Sequence, residues 1–145
     1  VLERALEIGA DYAFDPRDDR LQEKIAEVTG GRKLDVAFDA VGLKTTFEQA
    51  LDSLTSGGRL VGVGMSAESP SVGPTAMFGL SRKQALGHLG YQNVDIETLA
   101  KLVSYGRLDL SRSISEIVSL EELPQGIEKL ERQEGNPIRI LVQPH

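Results

Sequence analysis

The residues of this chain with the clearest chemical promise are glycines. Two apolar runs end in short glycine turns, Leu34–Gly42 (LDVAFDAVG) and Gly57–Met65 (GGRLVGVGM), and a third, weaker turn stands at Leu89–Tyr91. Glycine at a strand end lets main-chain groups come close to a ligand, or it simply supplies a backbone conformation that other residues avoid. Side chains offer less. Asp35 and Asp39 sit at opposite ends of one strand, roughly 13 Å apart at the usual rise, too far for a carboxylate dyad. Ser66, Ser69 and Ser71 lie in a loop with no histidine nearby in sequence, and there are only two histidines in all. His88, inside an apolar run, reads as a packed or surface histidine. Asp15, Asp18 and Asp19 read as a solvated helix start that favours the dipole. Met65, Met77 and Phe78 read as core or cleft wall. No G-x-G-x-x-G phosphate turn occurs.

Composition narrows the classes. The 145 residues fit one ordinary domain, and 40% apolar with 26% charged residues is enough to bury a core. A net charge of −6, with lysine and arginine scattered in ones and twos, argues against a nucleic-acid partner. No apolar run approaches membrane-spanning length, and the first residues lack a secretory signal layout. With no cysteine there are no disulfides and no zinc site built on thiolates. The expectation is an acidic, soluble, cytoplasmic α/β domain.

The elements that must hold the turns follow from periodicity. Val1–Ile8 has helical spacing and stops at Gly9; a helix starting uncapped at residue 1 suggests that its true start lies upstream. Tyr12–Phe14 is a short strand candidate, with Asp15-Pro16 as N-cap and first position of a helix carrying Leu21, Ile25 and Val28. Val36–Asp39 reads as a buried strand and Thr45–Leu54 as an amphipathic helix. Arg59–Val63 is the next strand, a loop covers Ser66–Pro74, and a helical turn falls around Ala76–Leu80. Gln84–Leu89 follows as a strand. Asp95 is expected to cap a helix ending at Gly106. Ser119 and Glu122 form the capping box of a last helix, and Ile138–Val142 closes as a strand. Alternation on this scale predicts a parallel sheet with helices on both faces. Right-handed crossovers then put the three glycine turns on one carboxyl rim, where open α/β sheets bind ligands.

With these turns in place, the sequence resembles the cofactor domain of medium-chain dehydrogenases/reductases, the alcohol dehydrogenase and quinone reductase superfamily. The resemblance rests on Ile8-Gly9-Ala10-Asp11, Thr29–Gly31, Val36–Gly42, Gly57–Gly64, Leu86–Gly90 and Gly135–Ile140, in order along nearly the whole chain. It implies a Rossmann-like domain over residues 1–145 that lacks the family's first two strands, with the catalytic domain absent. It also implies NAD or NADP as cofactor and a small alcohol or carbonyl as substrate of the full-length enzyme. By the same resemblance Ala40 and Val41 wall the ribose and nicotinamide end, and Gly42 permits close approach. Gly62, Val63 and Met65 meet the carboxamide through their backbone, Leu89 and Gly90 face the ring, and Arg139 pairs with the pyrophosphate. Each keeps a plainer alternative: Val41 as core, the glycines as turns, Arg139 as a solvent-facing residue. No catalytic or metal-binding residue is assigned, and zinc would belong to the catalytic domain alone.

The first strand–turn–helix, which holds the pyrophosphate in this fold, is missing, as is the second strand with its ribose-binding acid. The isolated chain is therefore expected to be inactive and to bind NADH or NADPH very weakly or not at all. Tyr12–Phe14 is expected to lose its sheet neighbours. The parent enzyme is expected to be a homo-oligomer with neither nucleic-acid nor membrane partners. Two other readings stand beside this one: a class I methyltransferase-like domain, whose last strand should run antiparallel, and a non-catalytic Rossmann-like interaction module.

Overall fold

Parallel pairing of three short strands positions the glycine turns. In this computed structural model, which describes Leu2–Pro144, the order is α1 (Leu2–Glu7), α2 (Leu21–Val28), β1 (Leu34–Asp39), α3 (Lys44–Asp52), β2 (Leu54–Gly62), α4 (Thr75–Ser81) and β3 (Gln84–Gly87). There follow α5 (Asn93–Ser104), β4 (Glu116–Val118), α6 (Leu123–Glu131) and β5 (Ile140–Val142). The chain divides into two compact units, one up to Gly90 and one from Tyr91 onward.

In the first unit β2 lies between β1 and β3, all parallel. Asp39 pairs with Gly62 and Gly62 with Gly87, so the carboxyl ends of the three strands finish side by side. Period-2 alternation sends Ala37 and Leu60 to one face, where α3 brings Phe47, Ala50 and Leu51 at helical spacing. Leu51, Leu54 and Leu60 form the centre of this core, with Phe78 of α4 packed against them. The opposite face carries Val36 and Phe38, and Phe38 remains 70% exposed. Lys33 and Lys83 donate Nζ bonds to the carbonyls of Asp52 and Leu51 at the end of α3, at 2.9 and 2.7 Å. Their charge complements that helix end. Burial first, then the neighbouring Lys33, hold the Lys83 ammonium below its usual pKa.

Several boundaries differ from the sequence expectations. Tyr12–Phe14 is not a strand: no ladder includes it, and the Tyr12 and Phe14 rings stack on each other, 6.3 Å between centroids. A strand needs a neighbour for its backbone groups, and none is within the sheet here. Asp15 caps no helix; its carboxylate accepts bonds from the Arg17 backbone and guanidinium, while α2 begins at Leu21. Leu54 belongs to β2 rather than to the preceding helix, because Ser53 turns the chain and its carbonyl accepts the Leu34 N–H at 3.0 Å.

In the second unit Gln92 is the N-cap of α5 and Asp95 closes its capping box from the third position. The Ser119–Glu122 box forms, one turn ahead of α6, through bonds of 2.9 Å from the Ser119 N–H and hydroxyl to Glu122 Oε2. Ile140–Val142 pairs in parallel with β4, a strand too short for the periodicity to reveal. Gly126 is buried in α6, with Ile140 and Val118 close enough that an added Cβ would meet them at 3.5 and 3.7 Å. Among the described residues, no helix is long and apolar enough to cross a membrane.

Candidate functional site

At the carboxyl ends of β1, β2 and β3 the chain opens a cleft of 530 Å³. That volume lies within the usual range for small-molecule sites, roughly 300–1,000 Å³. Its floor is made of Gly42, Gly62 and Gly64. Phe47, Ala85 and Leu86 give apolar wall, and Met65, Ser66 and Glu68 come from the loop after β2. The expected residues Gly42, Gly62 and Met65 thus line one space. Ala40, Val41 and Val63 stand on the same two turns without lining it, exposed at the rim. Leu89 and Gly90 follow β3; Leu89 is exposed, and Gly90 has φ +64°. His88 donates Nε2–H to the Gly90 carbonyl at 2.8 Å, which fixes its tautomer, since a carbonyl only accepts. Arg139 lies in the second unit just before β5. Its Nη1 is 3.4 Å from Ser113 Oγ, and its carbonyl accepts the Ser115 N–H.

The two main turns touch each other through their backbones. Gly42, at φ +84°, could not carry a side chain: a Cβ would stand 2.5 Å from the Gly64 carbonyl carbon. A Cβ on Gly64 would fall well inside 3.0 Å of Val41 and Gly42 main-chain atoms. Ser66 adds a tie by donating its hydroxyl to the Gly42 carbonyl at 2.6 Å, and Glu68 Oε2 accepts the Lys44 N–H at 2.6 Å. Sequence reading left Ser66 as a loop residue and did not single out Glu68, because their partners are 24 residues away.

Asp39 is the acidic residue beneath both turns, 3% exposed. Its Oδ1 accepts the Val41 and Gly42 N–H groups at 3.0 and 3.1 Å and the Thr46 hydroxyl at 3.0 Å. Its main-chain carbonyl accepts the Val63 and Gly64 N–H groups at 2.8 and 2.9 Å. Burial pushes the carboxyl up, but the Gly42 and Val41 amides and the Thr46 hydroxyl favour its ionised form more, and it ends below its ordinary value. Ionised Asp39 therefore stabilises the fold above the unfolded carboxyl value of about 3.9, and that share is lost as pH falls through the native value. Acid unfolding followed by circular dichroism checks this. The stability gap between wild type and Asp39→Asn is expected to close as pH drops below about 4; a gap that stays constant would contradict it.

Among the described residues no charged donor lines the cleft; the acids there are Asp39 and Glu68. The space therefore suits an uncharged or cationic ring and amide rather than a phosphate. Among the described residues, no group of three His, Asp or Glu could hold a metal ion.

Residues 1–105 match the family model described as zinc-binding dehydrogenase. The chain belongs to that family. An alcohol dehydrogenase of Cupriavidus necator is 28% identical over 99% of this chain and 40% of its own length. The NDMA-dependent alcohol dehydrogenase of Amycolatopsis methanolica is 32% identical over 94% of this chain and 38% of its own. Among solved structures, alcohol dehydrogenase TADH from Thermus sp. ATN1 superposes with a TM-score of 0.87 at 28% identity, over 98% of this chain and 41% of that one. The chain thus spans about two-fifths of these dehydrogenases. Family membership and the parallel β4–β5 pair both set the methyltransferase reading aside, since that fold calls for an antiparallel last strand.

Proposed function

We propose that this chain supplies the nicotinamide side of the cofactor cleft in an NAD(P)-dependent oxidoreductase acting on small alcohols or carbonyls. The observation that carries the reading is the glycine-floored cleft at the carboxyl ends of three parallel strands, apolar on one wall and free of cationic side chains. When bound, the nicotinamide cofactor supplies or accepts the hydride. This chain's part is to bind and orient. The Gly62–Met65 backbone would offer peptide groups to a carboxamide, Ala40–Gly42 would hold the ribose, and Leu89–Gly90 would border the ring. The donor sets needed for zinc and for the pyrophosphate anchor are not among the residues lining the cleft, so no step is routed through them.

A titration of the ¹⁵N-labelled chain with NADH tests the reading. Millimolar NADH is expected to shift the amide signals of Gly42, Gly62, Val63 and Gly64 with weak affinity. Shifts confined to other surfaces would overturn it, and so would their complete absence at the solubility limit. The interaction-module reading has no need of the glycine floor, and nothing in the cleft favours it.

A further inference from the structure

We infer that Asp39 is a positioning residue that sets both glycine turns at once, so that the two halves of the cleft floor move as one unit. The inference rests on the cofactor reading for its purpose, but not for its physics. Asp39 closes β1 and, among the described residues, is the only one bonded to both turns through different atoms. Its carboxylate holds the first turn through Val41 and Gly42, and its carbonyl holds the second through Val63 and Gly64. Thr46 fixes the carboxylate from the first turns of α3, which locks the side-chain rotamer to a helix that is itself packed on the core. The turns then meet at Gly42 and Gly64 with no room for a Cβ between them. A twist of the first turn would drive Gly42 and Val41 into Gly64, so the second turn cannot keep its place when the first relaxes. Close-packed backbone transmits such a shift because it cannot compress.

The second carboxylate oxygen adds a chemical signature. Oδ2 is buried and has no hydrogen-bond partner. Asparagine in the same pose keeps the acceptor Oδ1 but puts an amide donor where no acceptor waits. Asp39→Asn should thus retain the turn geometry at some cost, whereas Asp39→Ala removes the three Oδ1 bonds and leaves those donors unsatisfied.

Amide hydrogen exchange by NMR, without any nucleotide, reads the coupling on the full chain. In Asp39→Ala the Val41 and Gly42 amides must exchange faster, since their acceptor is gone. The inference adds that Val63 and Gly64 accelerate by at least about tenfold as well, although their own acceptor, the main-chain carbonyl, is retained. Asp39→Asn is expected to restore most of the protection at all four amides. Thr46→Val, which removes a single donor, is expected to show the same four-site pattern at smaller size, and it supplies the test should Asp39→Ala fail to fold. Acceleration at Val41 and Gly42 with Val63 and Gly64 unchanged, in either variant, would overturn the inference. Repeating the NADH titration on wild type separates the two claims: four-site coupling without NADH shifts leaves Asp39 as the positioning residue and removes the cofactor reading.

Discussion

Gly64→Ala is expected to destabilise the chain by about 3 kcal/mol, the upper end of what overpacking costs, and to do so without touching the hydrophobic core. The residue does not need a left-handed conformation. Its constraint is the Gly42 turn opposite, whose main chain occupies the space that a Cβ would take. Flexible side chains could rotate away from a new methyl group, but backbone held by Asp39 cannot. Gly42→Ala is expected to cost as much, with the added strain of φ +84°. Because both substitutions spread the same contact, the double variant should cost less than the sum of the two. Gly87→Ala is the control, since nothing lies within 4 Å of its Cβ position; its effect should stay within about 0.5 kcal/mol. Urea unfolding of the four variants checks this. Equal midpoints for Gly64→Ala and Gly87→Ala would show that the two turns are not in contact in solution.

Leu60→Ala is expected to cost between about 2 and 5 kcal/mol. Leu60 is fully buried on the central strand, against Leu51 and Leu54. Among the described residues the buried apolar set is small: Ile25, Leu51, Leu54, Leu60 and Val118. A domain with a total stability of about 5–15 kcal/mol has little to spare for a cavity at its centre. On the same measurement Phe38→Ala should change stability by no more than about 0.5 kcal/mol, because the ring is 70% exposed and its loss leaves no cavity. Should Phe38→Ala prove as costly as Leu60→Ala, the outer face of the sheet must be covered in solution, and sedimentation of the two variants would show whether a second copy covers it.

The contrast between those residues also shows how far the sequence can be read. Val36–Asp39 announces a strand because β-branched and aromatic residues are bounded by glycine, but Phe38 and Leu60 look equally fit for a core. Only the placement of α3 decides that Leu60 is buried and Phe38 is not. The stripes of α2 and α3 were legible because i, i+3 and i+4 spacing is local. Tyr12–Phe14 has strand propensity but forms no strand, and the expected loss of its sheet neighbours is the reason: the partner's hydrogen bonds are the other half of a strand, and they are not encoded nearby.

By itself the sequence determined most of the helices and strands, the glycine turns and the family resemblance that residues 1–105 bear out, since all of these depend on neighbours within a few positions; it added a strand at Tyr12–Phe14 and missed β4. The tertiary structure decided why the glycines must be glycines. Gly42 and Gly64 are 22 positions apart, and their mutual exclusion of side chains exists only once parallel register brings β1 and β2 to the same end. It also turned Asp39 from half of an impossible carboxylate pair into the residue that holds both turns, because its partners are assembled by pairing and packing rather than by spacing.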